Sequence, residues 1–143
     1  MPIEPRVSLV TLGVADVDRS ESFYRALGWE VAVAADDGFR LFRTHGAWLA
    51  LYPHASLRRL AGDPPATGPG FRGVALAMNL DGRAEVDEAF SVAAAAGATV
   101  LSSPEPTEWG GYTGCFADPD GHVWEVAHNP AWPIGPDGRP QVP

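Results

Sequence analysis

The chain has 143 residues, with 10 Lys and Arg residues against 18 Asp and Glu residues, so its formal net charge is −8. A hydrophobic content of 45% and a charged content of 20% are typical of one globular domain or of two small fused modules. The acidic balance disfavours nucleic acid, no apolar run approaches the ~20 residues of a membrane span, and the single cysteine excludes an internal disulfide. The first residues lack a signal-peptide pattern, so we expect a cytoplasmic protein with no membrane contact.

The first part of the chain predicts one strand, one helix and three further strands. Residues 7–14 are rich in β-branched and apolar types, as a strand requires. A helix can begin at Asp16 or Asp18, and the pattern ends it at Gly28. Three short strands then follow, at about 30–35, 39–44 and 47–52.

The second part of the chain repeats this order of elements. A strand at 74–79 precedes a helix at 82–96 that ends at Gly97. Strands follow at about 99–102, 112–117 and 122–127. The pattern predicts an α+β fold in which tandem βαβββ modules form a curved mixed sheet around a central cavity. We expect one domain over residues 5–130, with module 1 at about 5–55 and module 2 at about 72–128. A linker at 56–71, in which residues 57–60 can form one helical turn, joins the modules, and an extended, irregular Pro-rich tail follows at 129–143.

Alternate residues of each predicted strand differ in size. One face carries bulky apolar residues that fit a helix-facing core, and the other carries Gly, Ala and Thr with one carboxylate, Glu125. If the small-residue faces curve toward each other, they leave a concave and mostly apolar cavity of the kind that binds small molecules. The alternative is that the small residues simply allow close packing of the sheets.

Several aromatic residues are candidates for contact with a ligand in such a cavity. Trp48 and Tyr52 lie on the small-residue face, and Trp109 and Tyr112 lie in a segment that makes the second module longer than the first. Core packing is the alternative for each of them, and it is the role that we expect for Trp124. The candidate ligand-binding residues are Thr11, Trp48, Tyr52, Trp109, Tyr112 and Glu125.

Three short motifs occur in a distinctive order along the chain: LGVADVDRS at 12–20, GVAL at 73–76 and FADPDGHVWE at 116–125. Their order and spacing across a tandem repeat resemble the vicinal oxygen chelate superfamily. This superfamily includes glyoxalase I, bleomycin-resistance proteins, fosfomycin-resistance enzymes and extradiol dioxygenases. The resemblance spans roughly residues 7–130 and implies the same fold, together with a homodimer that has two sites.

The resemblance also assigns positions to a metal site. Superfamily enzymes usually hold one divalent metal with His, Glu or Gln from four cavity strands, and the matching positions here are Leu9, Ala50, Gly73 and Glu125. Only Glu125 can coordinate a metal, whereas a first-row divalent ion needs three or more protein ligands. We therefore expect no cofactor and no tight metal site. The alternative is a non-standard divalent metal site built from the four histidines, which are His45, His54, His122 and His128.

Glu125 is the one candidate for chemistry in the predicted cavity. It can serve as a catalytic acid or base, or it can pair with a cationic group of a ligand. The structural alternative is a hydrogen bond from Thr11 or Tyr112 to its carboxylate. Cys115 has no predictable histidine partner, so we interpret it as a buried and inert thiol.

Four functions are compatible with these patterns. The leading hypothesis is a binding protein of the bleomycin-resistance type that takes a small hydrophobic or cationic molecule without a metal, with the net charge favouring a cationic guest. The second is a metal-free enzyme in which Glu125 is the acid or base. The third is a metal-dependent lyase, isomerase or dioxygenase, and the fourth is an interaction module without a ligand. The sequence leaves open whether the protein is an enzyme.

Overall fold

The computed structural model describes residues 2–64 and 70–143. In chain order, the elements are β1 (Leu9–Val14), α1 (Val17–Ala26), β2 (Val31–Ala34), β3 (Arg40–Phe42), β4 (Trp48–Pro53), α2 (His54–Leu60), β5 (Ala75–Asn79), α3 (Arg83–Ala96), β6 (Thr99–Pro106), β7 (Tyr112–Ala117) and β8 (Val123–His128). The predicted α+β class and the tandem βαβββ order are confirmed. Within the described ranges, no helix has the length and apolar character needed to cross a membrane.

The strands form two four-stranded sheets, with the orders β1-β4-β3-β2 and β5-β8-β7-β6. The first and last strands of each module pair in parallel, so that Thr11 lies beside Ala50 and Ala77 lies beside Glu125. The other pairs are antiparallel. As a result, β1 and β5 each lie at an edge of their own sheet.

Three segments differ from the prediction. Helix α2 begins at His54, before the stretch expected to be a linker, and is longer than the single turn predicted at 57–60. Residues 65–69 of that stretch lie outside the described residues. Strand β6 runs to Pro106 rather than to about residue 102, because it stays paired with β7 through two register shifts. The tail was expected to be irregular, but Ile134 and Pro140 form a β-bridge within it.

A capping side chain and a glycine set the start of α1 and the end of α3. Asp16 caps α1, since its side chain accepts a hydrogen bond from the Arg19 amide at 3.1 Å. Gly97 ends α3 in the left-handed conformation, with φ of 109°. Helices α1 and α3 each bury an apolar stripe against the sheets, with Phe23 and Tyr24 fully buried on α1.

A buried hydrogen-bond network joins the two modules. The Tyr24 hydroxyl donates to Asp118 Oδ2 at 2.7 Å and accepts from Trp124 Nε1 at 3.0 Å. The other Asp118 oxygen accepts the amide protons of Asp120 and His122. Burial raises the pKa of Tyr24, and the neighbouring Asp118 carboxylate raises it further, so its hydroxyl remains a neutral donor. Helix α1 of the first module is thereby fixed to the 118–121 turn of the second.

Candidate functional site

The first sheet presents its small-residue face on the side away from α1. The core side carries Leu12 and Leu51, and the opposite side carries Thr11 and the fully buried Ala50. Helix α2 packs on this opposite side, because a Cβ atom added to Gly13 would lie 2.8 Å from His54 Nδ1. The predicted alternation of large and small residues is therefore present in this sheet. Helix α2 covers one end of its small-residue face.

Glu125 lies on the corresponding face of the second sheet. Its strand neighbours are Ala77 on β5 and Cys115 on β7, which both have small side chains. The side chain is half-buried and forms no hydrogen bond with any other described residue. The bonds suggested for it are not made: the Tyr112 hydroxyl donates to Asp87 instead, at 2.8 Å. The structural role for Glu125 as the partner of Tyr112 is therefore wrong.

The candidate aromatic residues do not converge on Glu125. Tyr112 shares the face of Phe116 and contacts α3, so it lies on the helix side of the sheet. The prediction that groups Tyr112 with Glu125 is contradicted by this placement. Tyr52 donates to Asp37 Oδ2 at 2.9 Å on the first sheet. Trp109 is 55% exposed in the turn between β6 and β7.

Trp48 lines a cleft of about 790 Å³ that the sequence did not reveal. The cleft lies between the turn that joins β3 to β4, strand β5 and the C-terminal tail, and Glu125 is not part of its lining. Its walls include Trp29 and Trp124 as well as Arg43, whose guanidinium lies 5.5 Å from the centre of the Trp48 ring. The Asp137-Gly138 pair in the tail is a turn signal that could have pointed to the wall that the tail forms.

The residues at the four expected metal positions do not fit a metal ion. Leu9 is 40% exposed at the start of β1, Ala50 is buried, and Gly73 precedes β5 with φ of 77°. None of these three residues has a donor side chain. Across residues 2–64 and 70–143, no three His, Cys, Asp or Glu side chains lie close enough to hold one metal ion together.

The histidines have other contacts in the structure. His122 Nε2 lies 2.8 Å from the Gly13 carbonyl oxygen, and His128 Nδ1 lies 3.1 Å from the Leu80 carbonyl oxygen. His45 lies in the turn between β3 and β4, and His54 begins α2. The donor set of the described chain therefore does not assemble the non-standard histidine site considered above.

The chain matches one protein family over most of its length. The family model for the Glyoxalase/Bleomycin resistance protein/Dioxygenase superfamily matches residues 6–126. The chain belongs to this superfamily. The resemblance inferred from the three motifs is confirmed, and the tandem modules described above are the fold of this superfamily.

Solved structures of the superfamily superpose on most of the chain. A glyoxalase-related enzyme from Fulvimarina pelagi is 34% identical with a TM-score of 0.86, over 96% of this chain and 98% of that chain. A glyoxalase/bleomycin resistance protein/dioxygenase family enzyme from Burkholderia phytofirmans PsJN is 25% identical with a TM-score of 0.72, over 86% and 98%. Lactoylglutathione lyase from Agrobacterium tumefaciens is 25% identical with a TM-score of 0.69, over 91% and 98%. No curated protein matches the sequence.

Proposed function

We propose that this member of the superfamily binds a small hydrophobic or cationic molecule on the small-residue faces of its sheets, without the usual divalent metal. The observation that carries the proposal is the chemistry at the four metal positions. Leu9, Ala50 and Gly73 supply no ligand atom, so Glu125 alone cannot hold a first-row ion tightly. The small-residue faces of the sheets are thus kept, whereas three of the four residues expected to bind a metal are replaced by residues without a donor side chain.

The surroundings of Glu125 support a role in ligand contact. Its carboxylate is half-buried, has small neighbours and makes no hydrogen bond to the described chain. A carboxylate in this state can accept a charge-assisted hydrogen bond from a cationic ligand, which contributes about 1.5–3 kcal/mol. The net charge of −8 adds long-range attraction for a cation.

The open faces also support a homodimer. The strands β1 and β5 are unpaired edges in the described chain, and large apolar side chains are exposed beside them. Leu9 is 40%, Val74 is 63% and Phe71 is 71% exposed. A second copy of the chain that covers these edges would enclose the small-residue faces. Light scattering after size exclusion should give twice the mass of one chain, and the mass of one chain would contradict this arrangement.

The cytoplasmic location expected from the sequence also remains a prediction.

Ligand binding can be tested with aromatic cations such as ethidium and crystal violet. We expect saturable quenching of tryptophan fluorescence and an increase in Tm. Glu125→Gln should weaken the binding of a cation by about 10- to 150-fold, the equivalent of one charge-assisted hydrogen bond. Glu88→Gln is the matched control, because Glu88 is an exposed carboxylate on α3. A broad panel with neither quenching nor thermal shift, or equal affinities for both variants, would overturn the proposal.

A metal-free enzyme is the second candidate, because the Fulvimarina pelagi protein with 34% identity is described as a glyoxalase-related enzyme. In that case Glu125 would give or take a proton at the bound substrate. The same variant separates the two functions. An enzyme of this type should retain substrate binding in Glu125→Gln and lose turnover, whereas unchanged turnover would show that Glu125 is not the acid or base.

A further inference from the structure

The C-terminal tail folds into a short hairpin that forms one wall of the 790 Å³ cleft. Ile134 and Pro140 pair in a β-bridge, and the Gly135 amide donates to the Arg139 carbonyl oxygen at 2.8 Å. The Gln141 main-chain amide donates to the Pro133 carbonyl oxygen, also at 2.8 Å, and closes the base of the hairpin. The wall is thus an ordered element with its own hydrogen bonds.

The hairpin packs on the turn that joins β3 to β4. A Cβ atom added to Gly138 would lie 2.5 Å from the ring of His45, so glycine allows the two segments to touch. A Cβ atom added to Gly46 would lie 3.7 Å from Arg139 Nε, which places this guanidinium beside the turn. Arg139 is therefore held next to the turn that also carries Arg43.

The interior of the cleft is aromatic. Trp29, Trp48 and Trp124 line it, together with Leu76 and Met78. Its volume lies in the range of roughly 300–1,000 Å³ that is usual for small-molecule sites. Indole rings favour planar apolar groups, which stack on them with little loss of conformational entropy. These walls suit a planar aromatic body.

Two guanidinium groups give the cleft a cationic wall. Arg43 and Arg139 both line it, and within the described residues neither forms an ion pair, whereas Arg19, Arg25 and Arg40 are each paired with a carboxylate. A guanidinium presents a planar set of donors that matches a carboxylate or sulfonate.

The cleft also contains two carboxylates, but they come from other segments. Glu30 follows α1 and Asp81 follows β5, while both arginines belong to the hairpin and the turn on which it packs. The net charge of −8 does not decide the local preference, because charges beyond about 8 Å are largely screened at physiological ionic strength. The preference for an anion therefore rests on the two arginines, which lie together on one wall of the cleft.

We infer that this cleft is a second binding site, which takes a planar aromatic molecule carrying one anionic group. The aromatic body packs against the partly exposed Trp29 and Trp48, and the anion is held by Arg43 and Arg139. Glu125 does not line this cleft, although its strand neighbour Ala77 does, and its carboxylate favours the opposite charge. Either assignment can therefore fail without the other.

Two fluorescent probes test the inference, because they share one ring system and differ in charge. 8-Anilinonaphthalene-1-sulfonate is anionic, and N-phenyl-1-naphthylamine has the same rings without the sulfonate. We expect the Arg43→Gln/Arg139→Gln double variant to weaken sulfonate binding by about 10-fold or more, and to change the affinity for the neutral probe by less than about 2-fold. Arg83→Gln is the matched control, since its guanidinium stacks on Tyr112 outside the cleft.

Salt provides a test that requires no substitution. Raising NaCl from about 50 mM to about 500 mM should weaken binding of the sulfonate to the wild-type protein and leave the neutral probe unaffected. Circular dichroism of each variant checks that the fold is retained, and the salt series decides the question if the double variant does not fold. Sulfonate binding that resists both changes, or a parallel loss for both probes, would overturn the inference.

Discussion

The hydroxyl of Tyr24 offers a sharp test of how the two modules are held together. Tyr24 is fully buried, and its partners Asp118 and Trp124 are 3% and 6% exposed. Tyr24→Phe removes one oxygen atom and keeps the ring that packs in the core. Asp118 Oδ2 then loses a donor and Trp124 Nε1 loses its acceptor, in a place that the structure shields from bulk solvent.

The expected loss of stability follows from the two buried groups that are left without a hydrogen-bond partner. A buried polar group without a partner costs about 1–3 kcal/mol, and a charged group costs more. We therefore expect the free energy of unfolding to fall by about 2–5 kcal/mol. At roughly 3 °C per kcal/mol for a domain of this size, Tm should fall by roughly 6–15 °C.

The chain contains its own matched controls for this measurement. All three of its tyrosines donate a hydrogen bond to an aspartate, and only that of Tyr24 is buried. Tyr52→Phe and Tyr112→Phe remove exposed bonds, so each should change the free energy of unfolding by less than about 0.5 kcal/mol. Urea titrations of the three variants give the comparison. The reasoning is refuted if Tyr24→Phe lies within about 0.5 kcal/mol of wild type, or if the three losses are equal.

Three further substitutions or conditions have expected outcomes. Burial raises the pKa of Tyr24 above its ordinary value of about 10, so the folded state keeps a proton that the unfolded chain releases at high pH. The contribution of Tyr24 to the free energy of unfolding is therefore fully present below about pH 10, and that free energy should fall by about 1.4 kcal/mol per pH unit above it. The chain has no lysine that titrates in this window, and the hydrogen bonds that raise the pKa of Tyr52 and of Tyr112 are exposed. Urea midpoints should therefore decline in wild type and much less in Tyr24→Phe, and equal declines would contradict this. Asp16→Ala removes the cap of α1 and should lower the free energy of unfolding in urea by about 1 kcal/mol. A larger loss in Asp18→Ala would contradict the assignment of the cap to Asp16. Gly114→Ala would place a Cβ atom 2.7 Å from the Ser102 carbonyl oxygen, so it should cost about 1–3 kcal/mol, and an unchanged Tm would disprove the close approach.

Local chemistry explains why the fold could be predicted from sequence. The cap at Asp16, the terminal glycines and the alternation of large and small residues each act within a few residues, and together they define two βαβββ modules. The alternation also predicts the face on which Tyr112 lies. Tyr112 is four positions before the core residue Phe116, so the two side chains share the helix side of the sheet. The ligand role proposed for Tyr112 relied on segment length and overlooked that signal.

Contacts between distant segments explain what the sequence did not reveal. The bond from Tyr24 to Asp118 joins residues 94 positions apart, and no local pattern predicts such a pair. The aromatic cleft depends on a tail hairpin that packs against a turn about 90 residues earlier, near His45. The contact of helix α2 with the first sheet is a third example, because His54 and Leu57 approach Gly13 although no residue of this helix is buried.

Metal content measures the central claim most directly. Protein purified without chelator or histidine tag can be analysed by plasma mass spectrometry for divalent metals per chain. Because Leu9, Ala50 and Gly73 occupy three of the four expected ligand positions, we predict a content far below one equivalent. About one equivalent of a single metal would contradict the claim, and it would show that other side chains provide the ligands.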